Sequence, residues 1–587
     1  MTAPTATPDA PQAPPPSPDL GPFPERAPGD TLRAALGLIA ILLLALAPMT
    51  VRLGDADSKR TMENITIASA QDTWIRQHGS ARSGLAADPD AWLIPSRNGE
   101  PRVRKPPLVV WTHLLVWADL RPDQPHATPE TLITRGRFLA VGMGLLTVLG
   151  TFLIAQQWGG TRLALTAAAV AATMLLTVRQ ARIASYDIHM VALGTLAIAA
   201  GAWAMRPVIG TPKIWRRILG WSLAGVALAA AVMSKNALPV VFALIAWASM
   251  AILGNTCRKA AIVGAIQALA IAAALVVPWY LYASSVVSDA GATFVAETRA
   301  ARNEYQPPWY YLGLIALVAP WCVWLLGGLV LPFSALARPW RRPLLMAWVW
   351  FVAIFVLMSI PGAKQQRYIV PIVPAVALLI AQLWYFGQRL ADRNHHDPGI
   401  NLLRVPHWVG LAAGAIGLPV VWLATPDALG PMPTATALVV AAALLAIAAW
   451  GVVEHFRWRP LRAALITALW AALAWSAVLA SYSASPERDH PIRPEAERIN
   501  AAIGNAPAAF LYLPTQTDDL NEEFLLYSQR IYPRLAPADL AAARPPVLIA
   551  DDTQTNRDLI AAVPAYTQVT TFNQDNNRPT LLYRLTP

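Results

Sequence analysis

Apolar runs of about 18 to 25 residues recur along the chain, separated by short polar links rich in arginine and lysine. A helix needs about 20 residues to cross a hydrocarbon core, so each run is a candidate membrane span. The pattern predicts about thirteen of them, near 31–51, 134–156, 160–178, 185–205, 216–234, 236–253, 260–283, 309–332, 344–360, 368–387, 406–425, 433–453 and 462–482. Basic residues gather in alternate links, among them Arg162, Arg206 with Lys213 to Arg217, Arg258 with Lys259, and Arg457 to Arg462. Cytoplasmic links carry the excess of cations, so this alternation places the N-terminus inside. An odd number of spans then places the C-terminus outside.

Two stretches break the pattern. The first loop, 52–133, is long and polar, and it contains two segments with helical character. Thr61 to Gly79 is compatible with a helix, and Leu108 to Leu120 is apolar but too short to span, so both are expected to lie in the membrane interface. After about residue 483 the chain reads as an ordinary folded domain. Strands are expected at Ala508–Leu513, Pro546–Ala550, Ala565–Phe572 and Thr580–Arg584, with helices at Glu495–Ile503, Asn521–Ser528 and Asn556–Val563. That alternation predicts a small α/β domain. It contains no metal-ligand spacing, Gly-rich phosphate loop or nucleophile elbow, so a capping or acceptor-docking role is expected of it. The expected organisation is a Pro- and Ala-rich disordered tail over 1–30, a transmembrane domain over 31–483, and an α/β domain on the outer side over 484–587.

Composition sharpens this reading. Of 587 residues, 55% are hydrophobic and only 14% charged, which fits an α-helical polytopic membrane protein. The net charge of +11 sits in links between spans, which argues against nucleic-acid binding. Cys257 and Cys322 have no neighbours that would make a disulfide, a reactive thiol or a metal site. His395 and His396 read as solvated, and His189 as structural.

Ionisable groups at membrane depth or at a span's end are expensive, and so are functional candidates. On the outer side these are Asp55 and Asp57 with Arg60 and Glu63; Lys105; Asp187; Lys235; Glu297 with Arg299 and Arg302; and Lys364 with Arg367 and Tyr368. Each has a competing bland reading. Asp55 and Asp57 could be solvated loop acids, Lys105 a snorkelling lysine, Lys235 a helix end, and Asp187 a first-turn acid favoured by the helix dipole. Taken together they fit an anionic lipid head group held by cations while a carboxylate acts on a hydroxyl or amine. A phosphate wants Lys or Arg, a nucleophilic hydroxyl wants a carboxylate within hydrogen-bond reach, and a phosphate leaving group wants its developing charge neutralised.

The order of short motifs resembles the GT-C class of glycosyltransferases that use lipid-linked sugars, specifically the aminoarabinose lipid A transferase and protein mannosyltransferase relatives. The residues that carry it are Asp57, Arg60 and Glu63; Asn98-Gly99 followed by Lys105-Pro106-Pro107-Leu108; Ser185-Tyr186-Asp187; Ser234-Lys235; Gln306-Pro307-Pro308-Trp309-Tyr310-Tyr311; and Ser359 to Pro374 with its Lys364, Tyr368 and Pro371. The sequence departs from the family pattern at Ser58, Thr61 and Asn236, and 79–90 looks like an insertion. The resemblance implies the GT-C fold and a bacterial inner-membrane enzyme with its chemistry on the periplasmic face. It would move a sugar from a polyprenyl-phosphate donor to lipid A, another envelope glycan or a protein. Asp57 would then be the catalytic carboxylate, with Asp55 its rival, and Asp187 would support the sugar or orient a cation. Arg60, Lys105, Lys235, Tyr368, one of Arg299 or Arg302, and Lys364 would bind the lipid phosphate and sugar. No cofactor is expected beyond the polyprenyl-phosphate-linked sugar as co-substrate; a divalent metal is left open but unsupported, and the chemistry does not obviously require one, since protein cations already face the leaving phosphate. A transporter or lipid flippase is the alternative from another class, but no internal repeat supports it.

Overall fold

The computed structural model describes residues 30–55, 61–206, 214–254, 256–288, 290–291, 305–335, 337–392, 398–425, 432–482, 492–513, 520–563, 565–574 and 578–586. Asp57, Arg60, Glu297, Arg299, Arg302, His395, His396 and nearly all of the N-terminal tail therefore lie outside the described residues.

The chain enters through α1 (Asp30–Thr50), and the first loop folds as α2 (Thr61–His78), a hairpin of β1 (Ser96–Arg97) with β2 (Glu100–Pro101), and α3 (Leu108–Val116). Asn98 and Gly99 connect the two strands with φ of 52° and 80°, as a tight two-residue turn requires. Next come α4 (Pro129–Thr173), α5 (Leu175–Ala181), α6 (Tyr186–Met205), α7 (Ile214–Ser234), α8 (Leu238–Leu253) and α9 (Arg258–Val286). An apolar pair, 308–317 and 322–333, is bent by 119°. The remaining membrane helices are α10 (Arg341–Ser359), α11 (Val373–Ala391), α12 (Pro398–Ala424), α13 (Thr434–Phe456) and α14 (Pro460–Tyr482).

Ten helices among the described residues are long and apolar enough to cross a membrane, eleven if the bent pair is one span. The 45 residues of α4 are too long for one crossing, and its backbone leaves helical geometry at Gly159 and Gly160, the latter at φ 72°. A Cβ at Gly136 would meet His113 and Ala184, and one at Gly144 would meet Ala181, so the chain beyond α4 returns alongside its beginning. At the far end of this hairpin Thr161 donates to Asp30 at the start of α1, 3.0 Å. Reading α4 as two crossings and adding the shorter apolar α8 gives the thirteen expected from the sequence. Gly144→Val would drive a branched side chain into Ala181, whose Cβ is 2.5 Å from where a Cβ would stand. Its thermal unfolding midpoint is expected to fall by several degrees, an overpacking cost of about 1–3 kcal/mol.

The C-terminal domain is built from α15 (Ile492–Ile503), β3 (Ala508–Leu511), α16 (Glu522–Ser528), β4 (Arg534–Leu535), β5 (Val547–Asp551), α17 (Gln554–Ala561), β6 (Tyr566–Asn573) and β7 (Pro579–Leu585). Its sheet runs β4-β3-β5-β7-β6, parallel on the β3 side and antiparallel from β5 to β6. Among its strands, the two-residue β4 has no counterpart in the sequence reading, and neither does a short helix at Leu540–Ala543.

This domain shares a hydrophobic core with the first loop. Ile67, Trp74 and Ile75 of α2 and Val110 of α3 pack in one cluster with Ile499, Phe510, Phe524 and Tyr532. So α2, expected from the sequence at the membrane interface, is packed against the C-terminal domain. It is enclosed beneath the C-terminal domain despite a polar sequence, and several of its buried polar groups find partners in that domain or in the first loop. Gln71 donates to the Leu525 carbonyl (3.1 Å), Asn64 to Glu523 (3.3 Å), and Asp72 accepts from the Gly99 amide (3.1 Å). The Tyr532 amide donates to Asn98 (2.8 Å), and Arg97 pairs with Glu522 (2.5 Å). Even the insertion at 79–90 is tied in, since Ser83 Oγ accepts from the Ile531 amide and the Arg82 carbonyl from Arg530. One face of the membrane bundle is thus capped by a layer drawn from both ends of the chain.

Candidate active site

Beneath that cap, three helix or turn ends meet. Ser185, in extended conformation, ends the connection into α6 and places Asp187 in the helix's first turn, where the macrodipole favours a carboxylate. Ser234 closes α7, and Lys235 follows it. The 3-10 turn Gln366–Ile372 carries Arg367 and Tyr368. Asp187 is 1% exposed and accepts a hydrogen bond from Lys235 Nζ through Oδ1. Its other oxygen, Oδ2, accepts no hydrogen bond among the described residues, and Arg367 Nε stands 3.6 Å from it. Tyr368 presents its ring to both cations, 4.6 Å from Lys235 Nζ and 5.1 Å from the Arg367 guanidinium.

Two more cations come from the first loop. Arg102 donates to the Tyr186 hydroxyl (3.1 Å). Lys105, held where Pro106 and Pro107 open α3, has its pKa lowered to about 7, first by burial and then by the nearby charges of Lys235 and Arg102. Among the described residues, Lys105, Lys235, Arg102 and Arg367 thus gather around a single carboxylate. An unusually cationic pocket results, one that gains from an anion. Beside it opens a cleft of about 420 Å³ lined by Met62, Arg179, Ser185, Tyr310, Gln365 and Arg367, among others. Arg179 reaches across to Gln366 (3.0 Å). Met62 is five residues after Asp57 in sequence.

Other candidates are placed elsewhere. Asp55 is 46% exposed and pairs with Arg52 at 2.6 Å, and Arg52 also donates to the Ala480 carbonyl. Lys364 is buried and donates to the carbonyls of Gln306 (2.9 Å) and Pro361 (2.5 Å), which makes it a brace for the segment before Arg367. Glu63 is buried. It forms a forked pair with Arg137 of α4, at 3.0 and 2.9 Å, and accepts from the Ala184 amide at 3.1 Å. His189 is fully buried beside His113, ring centroids 6.1 Å apart, each with Nδ1 on a backbone carbonyl one turn earlier.

The sequence reading missed Arg102 and Arg137. Arg137 carried a weak signal, standing with Arg135 at the start of the apolar run 134–156. Arg102 carried none beyond its nearness to Lys105.

A bundle of membrane helices with its polar site under one face, a long first loop and a C-terminal sheet domain over that site is the GT-C fold. Among solved structures the chain resembles ArnT from Cupriavidus metallidurans in the apo state, TM-score 0.66 at 17% identity, covering 94% of this chain and 98% of that one. It also resembles the same protein bound to undecaprenyl phosphate, TM-score 0.63 at 17% identity, with 95% and 98% covered. Residues 124–287 match the family described as dolichyl-phosphate-mannose-protein mannosyltransferase. Among curated relatives, the undecaprenyl phosphate-alpha-4-amino-4-deoxy-L-arabinose arabinosyl transferase of Pectobacterium carotovorum is 28% identical over 290 residues, 48% of this chain and 49% of the relative. A second protein of that description, from Proteus mirabilis, is 27% identical over 255 residues, 42% and 45% of the two chains. The matched region is about half the length of these relatives.

Proposed function

We propose that this protein is a glycosyltransferase of the bacterial inner membrane that moves a sugar from a polyprenyl-phosphate donor to an acceptor on the periplasmic face, lipid A or another envelope glycan. The observation that carries this reading is the gathering of four cations around one buried carboxylate under the capped face. The donor phosphate would sit among Lys105, Lys235, Arg102 and Arg367, with Tyr368 backing the two inner cations. The open Oδ2 of Asp187 and the nearby Arg367 would take a sugar hydroxyl between them. An acceptor oxygen would attack the anomeric carbon while the bond from that carbon to the phosphate oxygen breaks. Asp57 would take the acceptor's proton, and the cations would neutralise the departing polyprenyl phosphate. The N-terminus would lie in the cytoplasm and the cap in the periplasm, consistent with the basic links opposite the cap. Arg60, Arg299 and Arg302 remain proposed phosphate ligands, and Asp55 the rival acid to Asp57. The match of 124–287 to a protein mannosyltransferase family favours a protein acceptor as the second reading.

The test compares envelope lipids by mass spectrometry in a deletion strain carrying wild type or Asp57→Asn. A sugar mass increment with wild type that is absent with the variant is expected. Equal increments would remove Asp57 from the mechanism, and no increment on any lipid would turn the search to proteins.

Lys105 adds a pH dependence. Above pH 7 it loses its proton in the free enzyme, so a phosphate must bind and restore that proton together. The donor KM is therefore expected to rise up to about ten-fold per pH unit above 7, since the charged fraction falls by that factor. Lys105→Arg, charged throughout, should flatten the profile. Steady-state kinetics from pH 6 to 9 would check this, and a flat wild-type profile would exclude Lys105 from the phosphate site. Folding stability runs the other way. Between pH 7 and 10.5 the unfolded chain holds the extra proton, so Lys105 makes the fold more stable as pH rises through that window.

A further inference from the structure

The face opposite the cap carries a second concentration of positive charge, far from the cationic pocket. Arg162, next to the residue that bonds Asp30, lies 3.9 Å from Asp392 at the end of α11, and Gln388 of α11 accepts from the Leu461 amide, 3.5 Å. The turn between α13 and α14 is therefore on that opposite face. There Glu454 is buried, and three guanidiniums surround its carboxylate: Arg457 at 3.5 Å, Arg459 at 3.6 Å and Arg462 at 3.8 Å. The three are 62%, 47% and 66% exposed, and Glu454 Oε2 accepts no hydrogen bond among the described residues. Arg404 adds a fourth cation, stacked over Trp458 at 4.1 Å.

One carboxylate cannot balance these charges, and its contacts with them are loose, so the forks keep donors for a further anion. The surroundings say what kind of anion. Trp450 and Val453 are exposed on the outer surface of α13, and Arg457 follows them at helical spacing on the same side, with Phe456 77% exposed beside it. An apolar stripe of a membrane helix thus ends directly in the cationic turn.

We propose that this turn binds the head group of an anionic phospholipid, its phosphate held by Arg457, Arg459 and Arg462 and an acyl chain laid along Trp450 and Val453. The apolar stripe commits the site to a lipid rather than a soluble phosphate, because a free anion would gain nothing from it. Phosphate at such a membrane-flanking cluster gains from each guanidinium and is weakened by salt.

Native mass spectrometry of the detergent-solubilised full chain tests this without reference to any transfer activity. Phosphatidylglycerol is expected to be retained at least ten-fold more tightly than phosphatidylcholine of the same acyl composition. Arg457→Gln/Arg459→Gln/Arg462→Gln should erase that preference, and the triple Lys variant should keep most of it. Glu454→Gln, which removes the competing carboxylate, should tighten retention. If the triple Gln variant does not fold by thermal unfolding, single Arg457→Gln carries the test with about a three-fold loss. Equal retention of phosphatidylglycerol by wild type and the folded variant would overturn the proposal. So would displacement of the lipid by glycerol phosphate at matched concentration, which would reduce the turn to a simple anion site.

Discussion

Asp187→Ala is expected to lose sugar transfer by at least 100-fold and to lower the unfolding temperature markedly, and the two losses should separate in a double variant. Among the described residues Asp187 is the one carboxylate against which Lys235 and Arg367 are held, and it is buried. Removing it leaves Lys235 as a buried, uncompensated cation, a change that costs about 3–5 kcal/mol in comparable pairs. Adding Lys235→Met replaces the orphaned ammonium by an apolar chain of similar length, which is often neutral for stability. Thermal unfolding of the double variant should therefore return most of the way to wild type. Its transfer rate should not, because the proposed phosphate site has lost a cation and the sugar its carboxylate, and removing one preorganised stabilising group typically costs 10²–10³ in rate. Unfolding curves and turnover of a labelled polyprenyl-phosphate sugar are the two readouts. If activity recovers together with stability, Asp187 and Lys235 are a structural pair and the site lies elsewhere in the cleft.

What could be read from sequence followed the range of the interactions involved. The spans were legible because an apolar run of 20 residues needs no partner to identify it, and the short apolar runs of β5 and β7 are equally local. The Asn98-Gly99 turn was visible as a motif, and its hairpin is where expected. The fate of α2 was not legible. Its polar residues read as solvent- or interface-facing, yet Asn64, Gln71 and Asp72 are buried. Their partners include Glu523 and the Leu525 carbonyl, more than 450 residues away. Nothing within α2 announces a partner so distant. Lys364 has contacts that were equally illegible. A lysine among motif residues looks like a phosphate ligand, but two of its donors go to backbone carbonyls that only the fold brings near. The convergence of Asp187, Lys235 and Tyr368 was inferred from shared sidedness alone, and the contact between them is a property of three chain ends meeting under the cap.

Glu63→Ala should be the most damaging change outside the cationic pocket. Glu63 stands in the first turn of α2 and closes a buried forked pair with Arg137, whose remaining reach goes to the Leu53 carbonyl at the end of α1. One of its oxygens also accepts from Ala184, three residues before Asp187. A single carboxylate therefore fixes α1, α2, α4 and the start of α6 to one another. Its loss leaves Arg137 charged in an apolar helix and the Ala184 amide without that acceptor. The first costs about 3–5 kcal/mol and the second about 1–3 kcal/mol. Glu63→Met combined with Arg137→Met removes both charges and should be far closer to wild type in thermal unfolding than either single variant. The double variant still lacks the acceptor for Ala184 and the tie between α2 and α6, so the geometry between the Asp57 segment and Asp187 should loosen. Transfer is then expected to fall about ten-fold or more with a nearly unchanged donor KM, because the proposed phosphate cations are untouched while the proposed reacting groups are less well aligned. A double variant with normal stability and normal kcat would show that Glu63 serves only to neutralise Arg137.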